Sequence, residues 1–351
     1  MLLGCRYNDN QCGVEDFYWS YSNEFGNCYT FNFHLHENGT KRDKLHWTSY
    51  TGPGWGLRLI LDIHLEDYEE SDVAGVRVNV HHNDQPPFPE ERSVLASPGF
   101  FTSIGFRKIK TGRESPPFGT CQDVGKTRHE GISFYADRYS YSDTACQKSC
   151  LQVTAIKQCG CCLTNYPCNP LNKTRVFDNL HLKPKVNFCN TTEYSSCVSE
   201  FDTLRALKFL AECYDRCPPA CTEISYDITL SMAMWPTENK KDDYFRLFND
   251  DRHKPAGSQE QFQVLRQNFL QLAVYPETLK VDKYVTNAKY DWSILLSNFG
   301  GQLGLCIGFS ILSALEIFEL IFDIITHLVF FFIYHTRSKV RVRVSDSSSR
   351  E

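Results

Sequence analysis

The sequence predicts an α+β protein, a disulfide-rich extracellular domain followed by one C-terminal transmembrane helix. Three observations predict it. From Gly304 to Tyr334 runs a stretch of about thirty mostly apolar residues, longer than the ~20 that a helix needs to cross a bilayer. Of sixteen cysteines, fifteen precede that stretch and only Cys306 lies within it, which assigns residues 1–291 to an oxidising compartment. Between Gly54 and Lys110 apolar and polar positions alternate, as in half-buried strands.

With 351 residues the chain has room for one large domain or two small ones, and its net charge of -5 argues against a nucleic-acid partner. Residues 1–33 hold Cys5, Cys12 and Cys28. GLRLILDIHL and AGVRVNVHH both alternate like strands. Between them lies an acidic loop from Glu66 to Asp72, read as a solvated turn rather than a sensor. Pro86-Pro87-Phe88-Pro89 breaks the next strand and starts a turn, and SPGFFTSIGFRKIK forms another strand. His81 and His82, paired on a strand, are candidates for binding metal or protons, with a solvated strand end as the plainer reading.

Twelve cysteines lie between positions 121 and 221. Cys146-x3-Cys150 and Cys213-x3-Cys217-x3-Cys221 each put thiols on one helical face, so two helices can be stapled rung by rung. Spacing alone leaves the connectivity open. Cys159-Gly-Cys161-Cys162 contains a C-x2-C, but the compartment and the lack of a second clear knuckle oppose zinc. The periodicity predicts helices over Tyr194 to Leu210 and Asp242 to Asn249, then a strand in NFLQLAVYPETLKV that delivers the chain to Trp292. Sequons at Asn38, Asn172 and Asn190 agree with an extracellular location.

The membrane segment, residues 292–334, is interrupted by acids. Glu316, Glu319, Asp323 and His327 follow one another at offsets of three, four and four, which gathers them on one helical stripe. Ionisable groups in a span face water or a partner helix, so several copies would enclose a wet, acidic path. Upstream, Gly300, Gly301, Gly304, Gly308 and Ser310 permit close helix approach or an unwound turn. Arg337, Lys339, Arg341 and Arg343 then hold residues 335–351 in the cytoplasm.

LLSNFGGQLGLCIGFSILSALEIFELIFD is similar to the second transmembrane segment of the degenerin/epithelial sodium channel superfamily, which includes acid-sensing and peptide-gated channels. The resemblance extends over essentially the whole chain. It implies that Gly308, Phe309 and Ser310 form the selectivity filter and that Glu316, Glu319 and Asp323 line the pore. It makes Ser297 the gating (degenerin) position and Gly304 the amiloride contact, and it implies a span broken near Gly308 to Ser310. Palm, β-ball, finger, thumb and knuckle elements are implied for the extracellular domain, with a thumb-like ladder at about 121–250. The family's pairing, carried over, joins Cys5 to Cys12, Cys121 to Cys221, Cys146 to Cys217, Cys150 to Cys213, Cys159 to Cys197, and Cys161 to Cys189. Cys162 and Cys168 are left over and are predicted to pair, while Cys28 lacks its partner.

The resemblance further implies a pore-forming subunit of a trimeric, voltage-insensitive, amiloride-sensitive sodium channel, not an enzyme, with no cofactor and no metal. Its partners are sodium ions, related subunits in a homo- or heterotrimer, membrane lipid, and an extracellular peptide or proton ligand. Its location is the plasma membrane, multi-pass in the full-length protein, with the ectodomain outside. Met1-Leu2-Leu3-Gly4-Cys5 has no charged or full apolar leader, so an incomplete N-terminus lacking the first transmembrane helix is expected. Where proton-gated relatives carry thumb acids, this chain has Ser199 and Thr203, with Glu200 and Asp202 on other faces. The tryptophan of acid-sensing relatives is Phe118 here, a ring still able to pack at the base of the thumb. The alternatives are a single-span, disulfide-rich receptor or adhesion ectodomain, against which three acids in one span argue, and a truncated, non-conducting regulatory subunit.

Overall fold

The computed structural model describes the chain outside residues 37–38, 43, 69–71, 123–133, 136–137, 169–185, 191, 193–210, 249–257, 309 and 348–351. It forms two units, Met1–Asn287 and Ala288–Glu351. In the first, a six-stranded sheet has the order β2-β1-β5-β10-β8-β9. Its strands are β1 (Leu2–Tyr7), β2 (Asn10–Gln11), β5 (Leu57–Asp62), β8 (Phe100–Gly112), β9 (Thr222–Met234) and β10 (Phe269–Val285). Two hairpins accompany it, β3 (Phe17–Ser22) with β4 (Gly26–Phe31), and β6 (Val76–Val78) with β7 (Val94–Ala96).

The centre of the sheet is apolar because β5 and β10 present alternating leucines to the same side. Leu59, Leu61, Ile63, Ile104, Leu270 and Leu272 are buried together with Cys5 and Ala96. Each large aliphatic chain enclosed in this way contributes roughly 1.5–3 kcal/mol. Strand β10 runs antiparallel to β5 through Phe269↔Asp62 to Val274↔Leu57 and parallel to β8 on its other side. Gly56 permits the close approach beside β10, since a Cβ there would stand 2.4 Å from the Val274 carbonyl. Where β9 ends, Trp235 packs with Leu265 and Phe269 and donates its indole N–H to the Tyr244 hydroxyl at 3.3 Å. That contact anchors the region of helices α2 (Lys241–Phe248) and α3 (Ser258–Asn268).

Helix α1 (Asp143–Cys159) starts where the Ser142 hydroxyl accepts from the Ala145 amide and ends at Gly160, whose φ of 73° closes the last turn. Its inner face carries Val153 and Ile156 into a small core with Phe134, Cys162, Cys168 and Val186. Fully buried Gln152 is satisfied there, accepting from the Leu163 amide and donating to the Leu163 and Tyr166 carbonyls.

Six disulfides are formed among the described residues: Cys5–Cys12, Cys121–Cys221, Cys146–Cys217, Cys150–Cys213, Cys161–Cys189 and Cys162–Cys168. Cys161 and Cys162 are thereby consumed in disulfides rather than offered to zinc. Cys159 is also disulfide-bonded, and its expected partner Cys197 lies outside the described residues, as do Asn38, Asn172, Phe309, Ser199, Thr203 and the helix expected over Tyr194 to Leu210. Cys28 and Cys306 are free thiols.

Two expectations are corrected. Cys213, Cys217 and Cys221 do not share one helical face, because the helix that holds Cys213 ends at residue 216, before Pro218 and Pro219. Proline lacks the amide that the next turn requires, so Cys217 follows the helix and Cys221 sits at the entry to β9. Nor are His81 and His82 on a strand, since β6 stops at Val78. The His81 Nδ1 lies 2.9 Å from the His82 carbonyl and 3.0 Å from that of Gln85, and the Gln85 amide donates back to His82, which makes a turn.

Candidate pore segment

The second unit consists of two helices, α4 (Trp292–Ile307) and α5 (Ile311–Ser347). Asp291 starts α4: its carboxylate accepts from the Ile294 amide at 2.8 Å and from the Ser293 hydroxyl at 2.7 Å. These bonds, the Ile294 amide first, hold the exposed carboxyl below its ordinary range. On α4 Ser297 and Gly304 are seven residues apart, two turns along the same face.

The helix stops at Gly308. With φ 65° and ψ 19°, this residue occupies the left-handed region, and its amide reaches the Gly304 and Leu303 carbonyls. Glycine is favoured there because a Cβ would strain the backbone. Two residues later Ser310 starts α5, its Oγ accepting from the Ser313 amide at 3.3 Å and its carbonyl from the Ala314 amide at 3.1 Å. The Gly-x-Ser triplet is therefore a helix stop followed by a helix start. Ser313, absent from the candidate residues read from sequence, joins this cap, its Oγ 3.4 Å from that of Ser310. The signal for it is the S-x-x-S spacing.

Helix α5 contains one stretch long and apolar enough to span a membrane, Ile311–Tyr334, 24 residues with a mean hydropathy of 2.0. At 1.5 Å per residue it is about 36 Å long, enough for the hydrocarbon layer. Its apolar surface is exposed in the isolated chain, Leu312, Phe318 and Phe322 by 69%, 71% and 66%. Such a surface calls for lipid or neighbouring helices. Glu316, Glu319, Asp323 and His327 fall within a sector of about 80°, and all four are exposed. The Thr326 hydroxyl donates to the Asp323 carbonyl at 2.9 Å. Beyond Tyr334 the backbone stays helical through Ser347, so the basic cluster continues the same helix.

Outside this segment the remaining candidates are scattered. Burial pushes the His81 ring below the ordinary imidazole range, and its bonds to the His82 and Gln85 carbonyls do not offset that. His82 pairs with Asp84 instead. Burial pushes the Asp84 carboxyl up, but His82, Ser140 and His34 outweigh it and hold it low. Phe118, the ring read as able to pack at the base of the thumb, is 55 % exposed and belongs to no buried cluster among the described residues. Asn190 is exposed, its side-chain oxygen accepting from the Thr192 hydroxyl of the same sequon at 2.8 Å.

The family model described as amiloride-sensitive sodium channel matches residues 1–320. Degenerin unc-8 of Caenorhabditis elegans is 31% identical over 355 residues, covering 99% of this chain and 42% of its own length. The epithelial sodium channel subunit beta of Bos taurus is 28% identical over 328 residues, 93% of this chain and 47% of its own length. The subunit alpha of Neoceratodus forsteri is 30% identical, with shares of 92% and 46%. The chain thus spans less than half the length of these relatives. Because the match runs through the six-stranded sheet, the disulfide ladder and the helix break, the chain belongs to the amiloride-sensitive sodium channel family, the superfamily of degenerins and epithelial sodium channel subunits, which are ion channels and not enzymes.

Proposed function

We propose that this chain is a pore-forming subunit of a trimeric, voltage-insensitive, amiloride-sensitive sodium channel of the plasma membrane. The observation that carries this reading is the interrupted span: α4 stops at Gly308, α5 starts at Ser310, and three carboxylates follow on one stripe. Three copies around an axis bring Gly308 carbonyls and Ser310 groups to a narrow ring that replaces part of the sodium ion's hydration shell. Glu316, Glu319 and Asp323 keep the inner path negative and repel anions. Ser297, one face with Gly304 on α4, is the gating position, and Gly304 the amiloride contact. Residues 1–291 lie outside the cell, 335–351 inside, and Asn190 carries a glycan.

The test is whole-cell current in oocytes expressing the chain within its full-length protein, alone and with related subunits. The expected result is a sodium current blocked by amiloride and independent of voltage steps. Surface protein without current in any combination would refute the pore reading. A bulky residue at Ser297 is expected to hold the channel open.

A further inference from the structure

On α1, Thr144, Lys148 and Gln152 follow at intervals of four and so share one side. Cys146 and Cys150, two residues out of step, lie about 160° around the helix from Lys148. The cysteine side is tied covalently, Cys146 to Cys217 and Cys150 to Cys213. The other side meets the segment from Asp84 to Glu91. Ahead of the helix the Ser140 amide donates to the Asp84 carbonyl at 2.8 Å, and its hydroxyl to the same oxygen at 3.2 Å. The Thr144 hydroxyl donates to a Glu91 carboxylate oxygen at 3.4 Å. Lys148 pairs with Glu90, stands 3.6 Å from Glu91, and holds its ammonium 4.7 Å from the Phe88 ring centre and 5.8 Å from that of Tyr166.

The Lys148 side chain is only 12% exposed, so water screens these interactions far less than at an open surface. Two carboxylates and two aromatic faces converge on one ammonium. Lys148 faces away from both rungs, so it has no part in the ladder. Its contacts join α1 to a segment distant in sequence that no disulfide ties to the helix.

We propose that Lys148 with Glu90 and Glu91 is a releasable ionic clasp that holds the disulfide-tied helix α1 on the 84–91 segment, and that opening the channel alters this contact. The covalent side keeps α1 and residues 213–217 moving as one body, while the clasp is the side that lets go. A contact whose strength differs between two conformations shifts their populations when it is removed.

The experiment has a structural and a functional arm, the second resting on the channel reading above. In the purified full-length protein, Lys148→Met is expected to lower hydrogen-exchange protection of segment 84–91 by roughly tenfold, the loss of one or two charge-assisted bonds. Lys148→Arg is expected to preserve it. In oocytes, Lys148→Glu is expected to change resting single-channel open probability at least about threefold. The charge swap Lys148→Glu with Glu90→Lys and Glu91→Lys is expected to recover most of that change. Unchanged exchange in Lys148→Met, or a change in open probability that the swap leaves untouched, overturns the clasp. Altered exchange with unaltered open probability overturns its part in gating. Wild-type protein at the surface without current in any combination of subunits refutes the pore reading instead, and the exchange arm still decides the clasp.

Discussion

The Gly308 amide donates to the Gly304 carbonyl at 3.0 Å. Gly304, the proposed amiloride contact, is thus also the acceptor that closes α4, and on that proposal the blocker site and the helix end are structurally interdependent. Substitutions at either position are expected to disturb both.

Gly308→Ala places a Cβ in a left-handed conformation, φ 65°, at a penalty of about 1–2 kcal/mol. The expected outcome is normal surface expression with altered sodium over potassium permeability and weakened amiloride block. Reversal potentials under ion replacement and a block curve measure both. Unchanged values would show that the turn is not part of the pore.

Ser310 caps α5 and, on the proposed function, also lines the ring. Ser310→Ala removes the cap and is expected to destabilise the start of α5 by roughly 1 kcal/mol. Ser310→Asn retains capping ability but enlarges the side chain. If lining dominates, Asn disturbs sodium selectivity more than Ala; if capping dominates, Ala is the worse variant. Permeability ratios of the two at matched surface density decide between them.

Neutralising the stripe with Glu316→Gln, Glu319→Gln and Asp323→Asn is expected to reduce inward single-channel conductance severalfold. The deficit should be largest at low ionic strength, where the Debye length is long. Conductance that matches wild type across a salt series would remove these residues from the ion path.

Acid is expected to act on the unit Met1–Asn287 through His81. Its folded pKa is lowered by burial, so the folded state prefers the neutral ring. Stability from this group is therefore complete above the unfolded value of about 6.5 and is lost as pH falls below it toward the folded value. Asp84, also held low, adds a loss only below about pH 4. Thermal melts across this range are expected to show a drop beginning near pH 6.5 that His81→Asn flattens. An identical slope in the variant would assign the acid response elsewhere.

Much of this architecture is legible in the sequence because it follows local rules. Alternating leucines mark β5 and β10, Ser142 and Gly160 bracket α1, and the acids of the span recur with helical spacing. The errors arose where a neighbour overrode the pattern. Val78 to His82 alternates like a strand, but the His81 ring captures the carbonyls of a turn. Cys221 continues a spacing of four that Pro218 and Pro219 interrupt. Lys148 is visible as one of a polar series, yet nothing local identifies Glu90 and Glu91 as its partners, because that contact exists only after the chain has folded. Phe118 has an aromatic identity that spacing cannot distinguish from a core residue, and it is exposed.

The disulfides of the ladder have a further consequence, one of order. Cys161–Cys189 lies inside Cys150–Cys213, which lies inside Cys146–Cys217, which lies inside Cys121–Cys221, with separations of 28, 63, 71 and 100 residues. Once Cys150–Cys213 has closed, Cys146 and Cys217 are four residues from it on either side, and their meeting needs only a small additional loop. Most of the loss of chain freedom along this nest falls on the pairs that close first. Oxidation is therefore favoured from the centre outward, and a substitution at Cys150 or Cys213 makes Cys146 and Cys217 close a longer loop, whereas one at Cys121 leaves the inner pairs untouched.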